Sequence, residues 1–227
     1  MCGRIVQYRS PEDYAAALRL SEPDPGLSLR PATFNGAPGQ DFLIVRQEGE
    51  GNEPVLCISQ WGFAPDIAGD RKMSARLATA HAETVVTEGS FCAAYRYRRC
   101  LVPVDSFYEW KKLGPMGKQP HAVGMEDGRP FTLAGLWENW RGPEGAWLRT
   151  FAIVTITSNK LLAGINDRMP LIIDPQDRAR WLSDEGHPGD LLRQHPSEGM
   201  ARWLVSPEVN SLRNNGPSLL APMAAAG

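Results

Sequence analysis

At 227 residues, 42% hydrophobic and 22% charged, the chain has the composition of an ordinary globular protein that can bury a real core, not of a disordered or fibrous one. Its formal net charge of −2 excludes a global positive field, so any binding of nucleic acid must rest on a local patch. No stretch reaches the roughly 18 apolar residues of a membrane span, and "MCGRIVQYRSPEDY" has no apolar signal core, so a cytoplasmic chain with no membrane partner is expected.

In chain order, Ser10 followed by Pro11, Glu12 and Asp13 predicts an N-cap with proline at the first helical position, opening a helix over 11–20. The Pro- and Gly-rich "SEPDPGLSLRPATFNGAPGQ" reads as an ordered loop. Strand candidates follow: "DFLIVR", "PVLCISQWGF", "RCLVPV", "SFYEWKK", "PHAVGM", "FTLAGLWENW", "RTFAIVTITS" and "MPLIID", all rich in β-branched and aromatic residues and separated by turns. A helix near 91–98 interrupts them. "PQDRARWLSD" (175–184) predicts another with proline at its start, and "ARWLVSPEVNSL" follows near the end. With no repeat, low-complexity tract or linker, residues 1–227 read as one strand-dominated α+β domain.

Cys2, Cys57, Cys92 and Cys100 form no C-x-x-C pair and have no nearby H-x-x-x-H, so neither zinc nor a cofactor is expected. Four free thiols fit a reducing compartment. Cys2 is distinctive, because initiator methionine is usually removed before a small residue. Removal would leave an α-amine and a thiol on adjacent carbons. Such a 1,2-aminothiol can condense with an aldehyde and close a five-membered thiazolidine ring. The alternative is an incidental buried cysteine.

Other polar residues interrupt the strand pattern. In "SFYEWKK", alternation sets Glu109 on one face with Phe107, and Tyr108 with Trp110 on the other. A carboxylate among aromatics is desolvated, which raises its pKa and suits acid–base work; otherwise Glu109 is a surface residue paired with Lys111 or Arg99. "TAHAET", if extended, aligns Thr79, His81 and Glu83. "INDRMP" carries Asn166, Asp167 and Arg168 before a strand, and adjacent Asp and Arg usually form a local ion pair. "SQWGFAP" either stacks Trp61 and Phe63 on a base or caps the core.

Taken in order, "MCGR", "FNGAP", "WGFAP", "HAET", "RRCLVPVDSFYEWKK", "QPH", "NDRMPLI" and "VSPEVN…NNGP" resemble the SOS response-associated peptidase family, also described as abasic-site-processing proteins. The resemblance runs over nearly the whole chain. It implies twisted, mainly antiparallel sheets curling into a barrel-like core with a few peripheral helices. It also implies a covalent crosslink between the N-terminal cysteine and abasic sites in single-stranded DNA, after removal of Met1 by the protein itself. A monomer, associated with the bacterial nucleoid when bound, is expected. Carried over by position, Cys2 is the nucleophile and Glu109 the proton shuttle. Arg4, Asn35 and Arg168 keep DNA-binding positions, Arg96, Arg98 and Arg99 are further phosphate candidates, and Trp61 and Phe63 are candidates to stack on bases.

The chain departs from the family pattern in three motifs: Thr33-Phe34-Asn35 stands for the usual R-Y-N, and three further positions differ. Thr79 stands for an active-site Asn, His81 for a phosphate-binding Arg, and Asn166 for a His. Asn166 can hydrogen-bond but cannot exchange a proton near neutrality. Two alternatives stay open: a cysteine peptidase acting on other proteins, and a relative that binds single-stranded DNA without chemistry.

Overall fold

The computed structural model describes residues 3–48, 53–64, 77–141 and 145–223; Met1 and Cys2 lie outside the described residues. The elements in chain order are β1 (Ile5–Gln7), α1 (Pro11–Leu18), β2 (Thr33–Gly36), β3 (Asp41–Glu48), β4 (Glu53–Trp61), β5 (Thr79–His81) and α2 (Cys92–Tyr97). There follow β6 (Arg99–Val104), β7 (Ser106–Lys112), β8 (Lys118–Met125), β9 (Phe131–Arg141), β10 (Trp147–Thr157), β11 (Arg168–Pro170), β12 (Ile172–Ile173), α3 (Arg178–Leu182) and β13 (Met200–Leu204).

Five strands close on themselves. β3 pairs with β4, β4 with β10, β10 with β9, β9 with β6, and β6 returns to β3. Only the β4–β10 contact in this ring is parallel. Closure leaves no unpaired edge in the ring, and its interior is filled by side chains such as Phe42, Trp61, Leu133 and Phe151. Trp61 stacks on Phe151 with centroids 6.3 Å apart, and Phe42 meets both rings edge-on. A second sheet, in the order β13-β8-β7-β1-β2, is antiparallel throughout. One face joins the barrel's core through Ile5, Phe107 and Val123; the other holds a smaller cluster of Val6, Tyr108, Ala122, Val205, Val209 and Leu219. The expected α+β barrel-like fold is therefore the one observed.

Local departures have local causes. Helix α1 starts as predicted, with Ser10 and Asp13 forming a reciprocal capping box, but stops at Leu18 because Arg19 turns left-handed (φ 58°). The stretch 21–40 is not all loop, since β2 lies in it and pairs with β1. "MPLIID" splits into β11 on β10 and β12 on β9. The 175–184 helix is a single 3₁₀ turn at Pro175–Asp177 followed by the short α3. In "ARWLVSPEVNSL" the first residues pair with β8 as β13, and Pro207–Asn210 forms a 3₁₀ turn.

Arg99 is not a phosphate contact. It is buried, and its guanidinium donates to five carbonyls: Trp181 at 2.6 Å, Tyr95 at 2.5 Å, Arg96 at 3.3 Å, Ser183 at 2.5 Å and Glu185 at 2.6 Å. It ties the C-terminal ends of α2 and α3 to β6. Arg98 is engaged as well, pairing with Glu138 at 2.6 Å. Arg99→Met removes every donor and strands the carbonyls. We expect a loss of about 3 kcal/mol or more in urea unfolding, and a variant of unchanged midpoint and slope would refute the structural role.

Candidate functional site

The pleat of β7 decides where Glu109 goes. Phe107 enters the main core, Tyr108 and Trp110 pack with the smaller cluster, and Glu109 follows Phe107 on the inner face. Glu109 is 1% exposed, so the alternative of a surface residue paired with Lys111 or Arg99 fails. Its Oε2 accepts a 2.7 Å hydrogen bond from Asn166 Nδ2, while Oε1 has no partner among the described residues. Burial raises the carboxyl pKa, the Asn166 bond opposes that rise, and the charge of Asp167 adds to it.

Asn166 is held from both sides. Its backbone N–H donates to Leu162 O within the turn joining β10 to β11, and its Oδ1 accepts the backbone N–H of Arg168 at 3.3 Å. That leaves Nδ2 aimed at Glu109.

Arg4, which follows Gly3 into β1, donates to Asn35 Oδ1 at 2.6 Å and to Val209 O at 2.8 Å, and lies 5.8 Å over the Trp110 ring. Asn35 is 2% exposed, and its Nδ2 donates to the carbonyls of Val209, Ser211 and Asn214. The sequence expectation that Asn35 contacts DNA is corrected accordingly. Its amide is consumed in clamping the C-terminal segment and Arg4 together.

Arg4, Glu109, Trp110, Asn166 and Asp167 border one cleft of about 750 Å³, with Lys112 and Lys118 also on its wall. The two lysines stand directly opposite each other in the β7–β8 ladder. Ile5 pairs with Phe107, and Tyr108 N donates to Arg4 O, so the antiparallel register carries Gly3 across from Glu109.

The remaining expected residues fall elsewhere. Arg168 forks onto Glu83 at 2.7 and 2.9 Å and also donates to Thr155 O at 2.6 Å; its ion pair is with Glu83, not with neighbouring Asp167. Exposed His81 lies beside this group, opposite Thr155 on β5, and half-buried Thr79 is opposite Ile153. Only Asp167 separates Asn166 from Arg168, so the two groups adjoin. Trp61 and Phe63 are corrections. Both are fully buried, Trp61 donating Nε1–H to Ala78 O at 2.8 Å and Phe63 packing on Phe91, so neither presents a face to a base.

Sequence reasoning passed over Lys112, Lys118 and His121. His121 is directly opposite Glu109 on β8, with Nδ1 3.2 Å from Gln119 O. Burial lowers its pKa, and Arg202 and Lys111 push the same way. The signal was available: a hairpin turn at "LGPMG" fixes the pairing of 109 with 121.

The family model described as SOS response associated peptidase matches residues 1–212. The chain belongs to that family. It is 34% identical to abasic site processing protein YoqW of Bacillus subtilis over 97% of this chain and 99% of the relative. It is 30% identical to abasic site processing protein YedK of Escherichia coli over 98% and 100%, and 26% identical to abasic site processing protein HMCES of Rattus norvegicus over 96% and 68%. Among solved structures, a Bacteroides thetaiotaomicron protein superposes with a TM-score of 0.84 at 20% identity, covering 97% of this chain and all of that one. A phage-related protein from Bordetella bronchiseptica gives a TM-score of 0.71 at 27% identity over 90% and 94%.

Asn35→Ala deletes one acceptor and three donations in this family member. A cost of about 1–3 kcal/mol is expected, with early proteolytic cleavage around 209–214. Cleavage at the wild-type rate would show that the clamp does not hold that segment.

Proposed function

We propose that the chain processes abasic sites in single-stranded DNA, joining them covalently to Cys2 as a thiazolidine once Met1 has been removed. The observation that carries this reading is the buried Glu109 carboxyl, with one oxygen bound by Asn166 and the other unpartnered among the described residues, in a polar cleft that also holds Arg4. Gly3, opposite Glu109 in the register, is bonded to Cys2. The relatives YoqW and YedK, both named abasic site processing proteins, support the same substrate class.

The chemistry needs an amine, a thiol and a mobile proton. An abasic deoxyribose opens to an aldehyde. The neutral Cys2 α-amine, with an ordinary pKa of about 7.7–8.0, adds to the carbonyl carbon to give a carbinolamine. Protonated Glu109 delivers its proton to the departing hydroxyl, water leaves and an imine forms. The Cys2 thiolate then adds to the imine carbon and the nitrogen takes up a proton, closing the ring with net release of one water. Because amine and thiol share one residue, the second bond forms intramolecularly. A raised Glu109 pKa keeps part of the carboxyl protonated above the usual carboxylate range, and Asn166 fixes its orientation.

The deciding measurement is denaturing electrophoresis and intact mass after incubation with an abasic oligonucleotide. Wild type should lose Met1 and gain the oligonucleotide mass less one water. Cys2→Ala should give no adduct, and an adduct resistant to denaturation in that variant would remove Cys2 as the nucleophile.

Glu109→Gln separates catalysis from stability. Crosslinking should slow by about a hundredfold. The folded chain binds the Glu109 proton more tightly than the unfolded chain does. Its stabilisation is therefore present below the ordinary carboxylate pKa and is lost as pH rises through the raised value. Gln has no such loss, so the variant should gain on wild type in thermal midpoint between pH 4 and pH 8. A parallel pH profile for the two proteins would mean that Glu109 is not desolvated in solution.

Restoring an imidazole with Asn166→His should speed crosslinking and introduce a pH dependence near about 6.5. A rate and profile equal to wild type would show that position 166 only orients Glu109.

A further inference from the structure

A second cavity, sharing no lining residue with the cleft, opens beside the seam where β3 meets β6 through Val45 and Leu101. Its volume is about 800 Å³, within the range of small-molecule sites. The walls include Leu18, Leu101, Phe131, Ile172 and Leu182, which are apolar. Three arginines, Arg19, Arg129 and Arg178, line the same space.

The state of these arginines needs an explanation. Arg178 is half-buried. Its Nε donates to the buried Thr132 Oγ1 at 3.2 Å, and neither terminal nitrogen has a partner among the described residues. Burial lowers its pKa, and the like charge of Arg129 lowers it further. Arg19 ends α1 in the left-handed region, φ 58°, and is the one non-glycine residue with positive φ among the described residues. Glycine or asparagine ordinarily fills such a position, since a Cβ is strained there. Strain here sets a long cation at the cavity mouth.

The opposing charges do not neutralise the group. Asp174, also on the wall, faces His195 Nε2 at 3.0 Å; its charge offsets part of the lowering at Arg178 but forms no ion pair with it among the described residues. Asp127 reaches Arg129 at 3.5 Å with both side chains largely exposed, where water screens the pair. A desolvated guanidinium with free N–H groups is matched by a planar or tetrahedral oxyanion, and the apolar walls match a hydrocarbon body.

We propose that this cavity binds a small amphiphilic anion, one carboxylate or phosphate head on an apolar body, with the head held by Arg178 and Arg129 and the body against Phe131, Leu101 and Leu182. Arg19 closes the cation ring around the head. The site is independent of the Cys2 chemistry, since it shares no residue with the cleft.

The test is calorimetric titration of the full chain with octanoate, octyl phosphate, 1-octanol and inorganic phosphate. Octanoate or octyl phosphate should bind one-to-one with a Kd of about 100 µM or tighter, and the two arms distinguish which head group the arginines prefer. Octanol and inorganic phosphate should each bind at least about tenfold more weakly. Arg178→Met should weaken the anionic amphiphiles by about tenfold or more. Arg129→Gln, at the exposed rim, should weaken them too, and it guards against a folding defect in the first variant. Both variants should crosslink abasic DNA as wild type does, so failure of the crosslinking proposal leaves this result readable. Octanol binding as tightly as octanoate would overturn the role of the arginines, and phosphate binding as tightly as octyl phosphate would overturn that of the apolar walls. Absence of binding by either amphiphile, or unchanged affinity in both folded variants, would overturn the site.

Discussion

Strand β7 runs between two apolar cores, and that constraint organises the site. A strand with one wet face could carry a glutamate outward at no cost. Here both faces are covered: Phe107 enters the main cluster, Tyr108 and Trp110 meet the smaller one, and Glu109 is buried along with them. Glu109 falls on the inner face, just past Phe107, where the core gives way to the turn before β11. It is therefore desolvated without being sealed, and a single amide from that turn meets it. A carboxyl that were fully paired would be pulled back toward ordinary acidity; one without any donor would be still more costly to bury.

Around this acid the chain spends its cations on structure. Arg4, Arg98, Arg99 and Arg168 all sit where a sequence reading offers them to phosphate. Yet Arg99 is enclosed by carbonyls, Arg98 and Arg168 are matched by glutamates, and Arg4 is tied to Asn35 and Val209. With a net charge of −2, little long-range attraction for a polyanion remains. Reversible binding that rests on so few free cations is weak and salt-sensitive; the bond to Cys2 proposed above would make attachment last without them.

The fold was legible because strand signals are local. The runs at 41–46, 99–104, 131–140 and 149–158 are dense in β-branched and aromatic residues, and all became strands. What stayed illegible depends on partners remote in sequence. β2 lies in a Pro- and Gly-rich stretch and exists only because β1 offers it an edge. Residues 201–204 have a helix-compatible composition but meet the free edge of β8. At the site, Glu109 and Asn166 could be named from the resemblance, whereas their contact needed the turn after β10 to fold back over β7. Trp61 and Phe63 misled for the opposite reason. An aromatic pair around a glycine looks the same in sequence whether it faces a ligand or the inside of a barrel, and only closure of the ring decides.

The Asn35 clamp has a consequence for the order in which the protein is made. It joins residue 4 to residues 209–214, and Asn215 also grips the chain at Ala32 and Phe34. Arg4 emerges from the ribosome 205 residues ahead of its carbonyl partner Val209. At elongation rates of roughly 5–20 residues per second, Arg4 waits on the order of ten to forty seconds before the groups that fix it exist. A polypeptide truncated before residue 209 therefore cannot assemble the clamp.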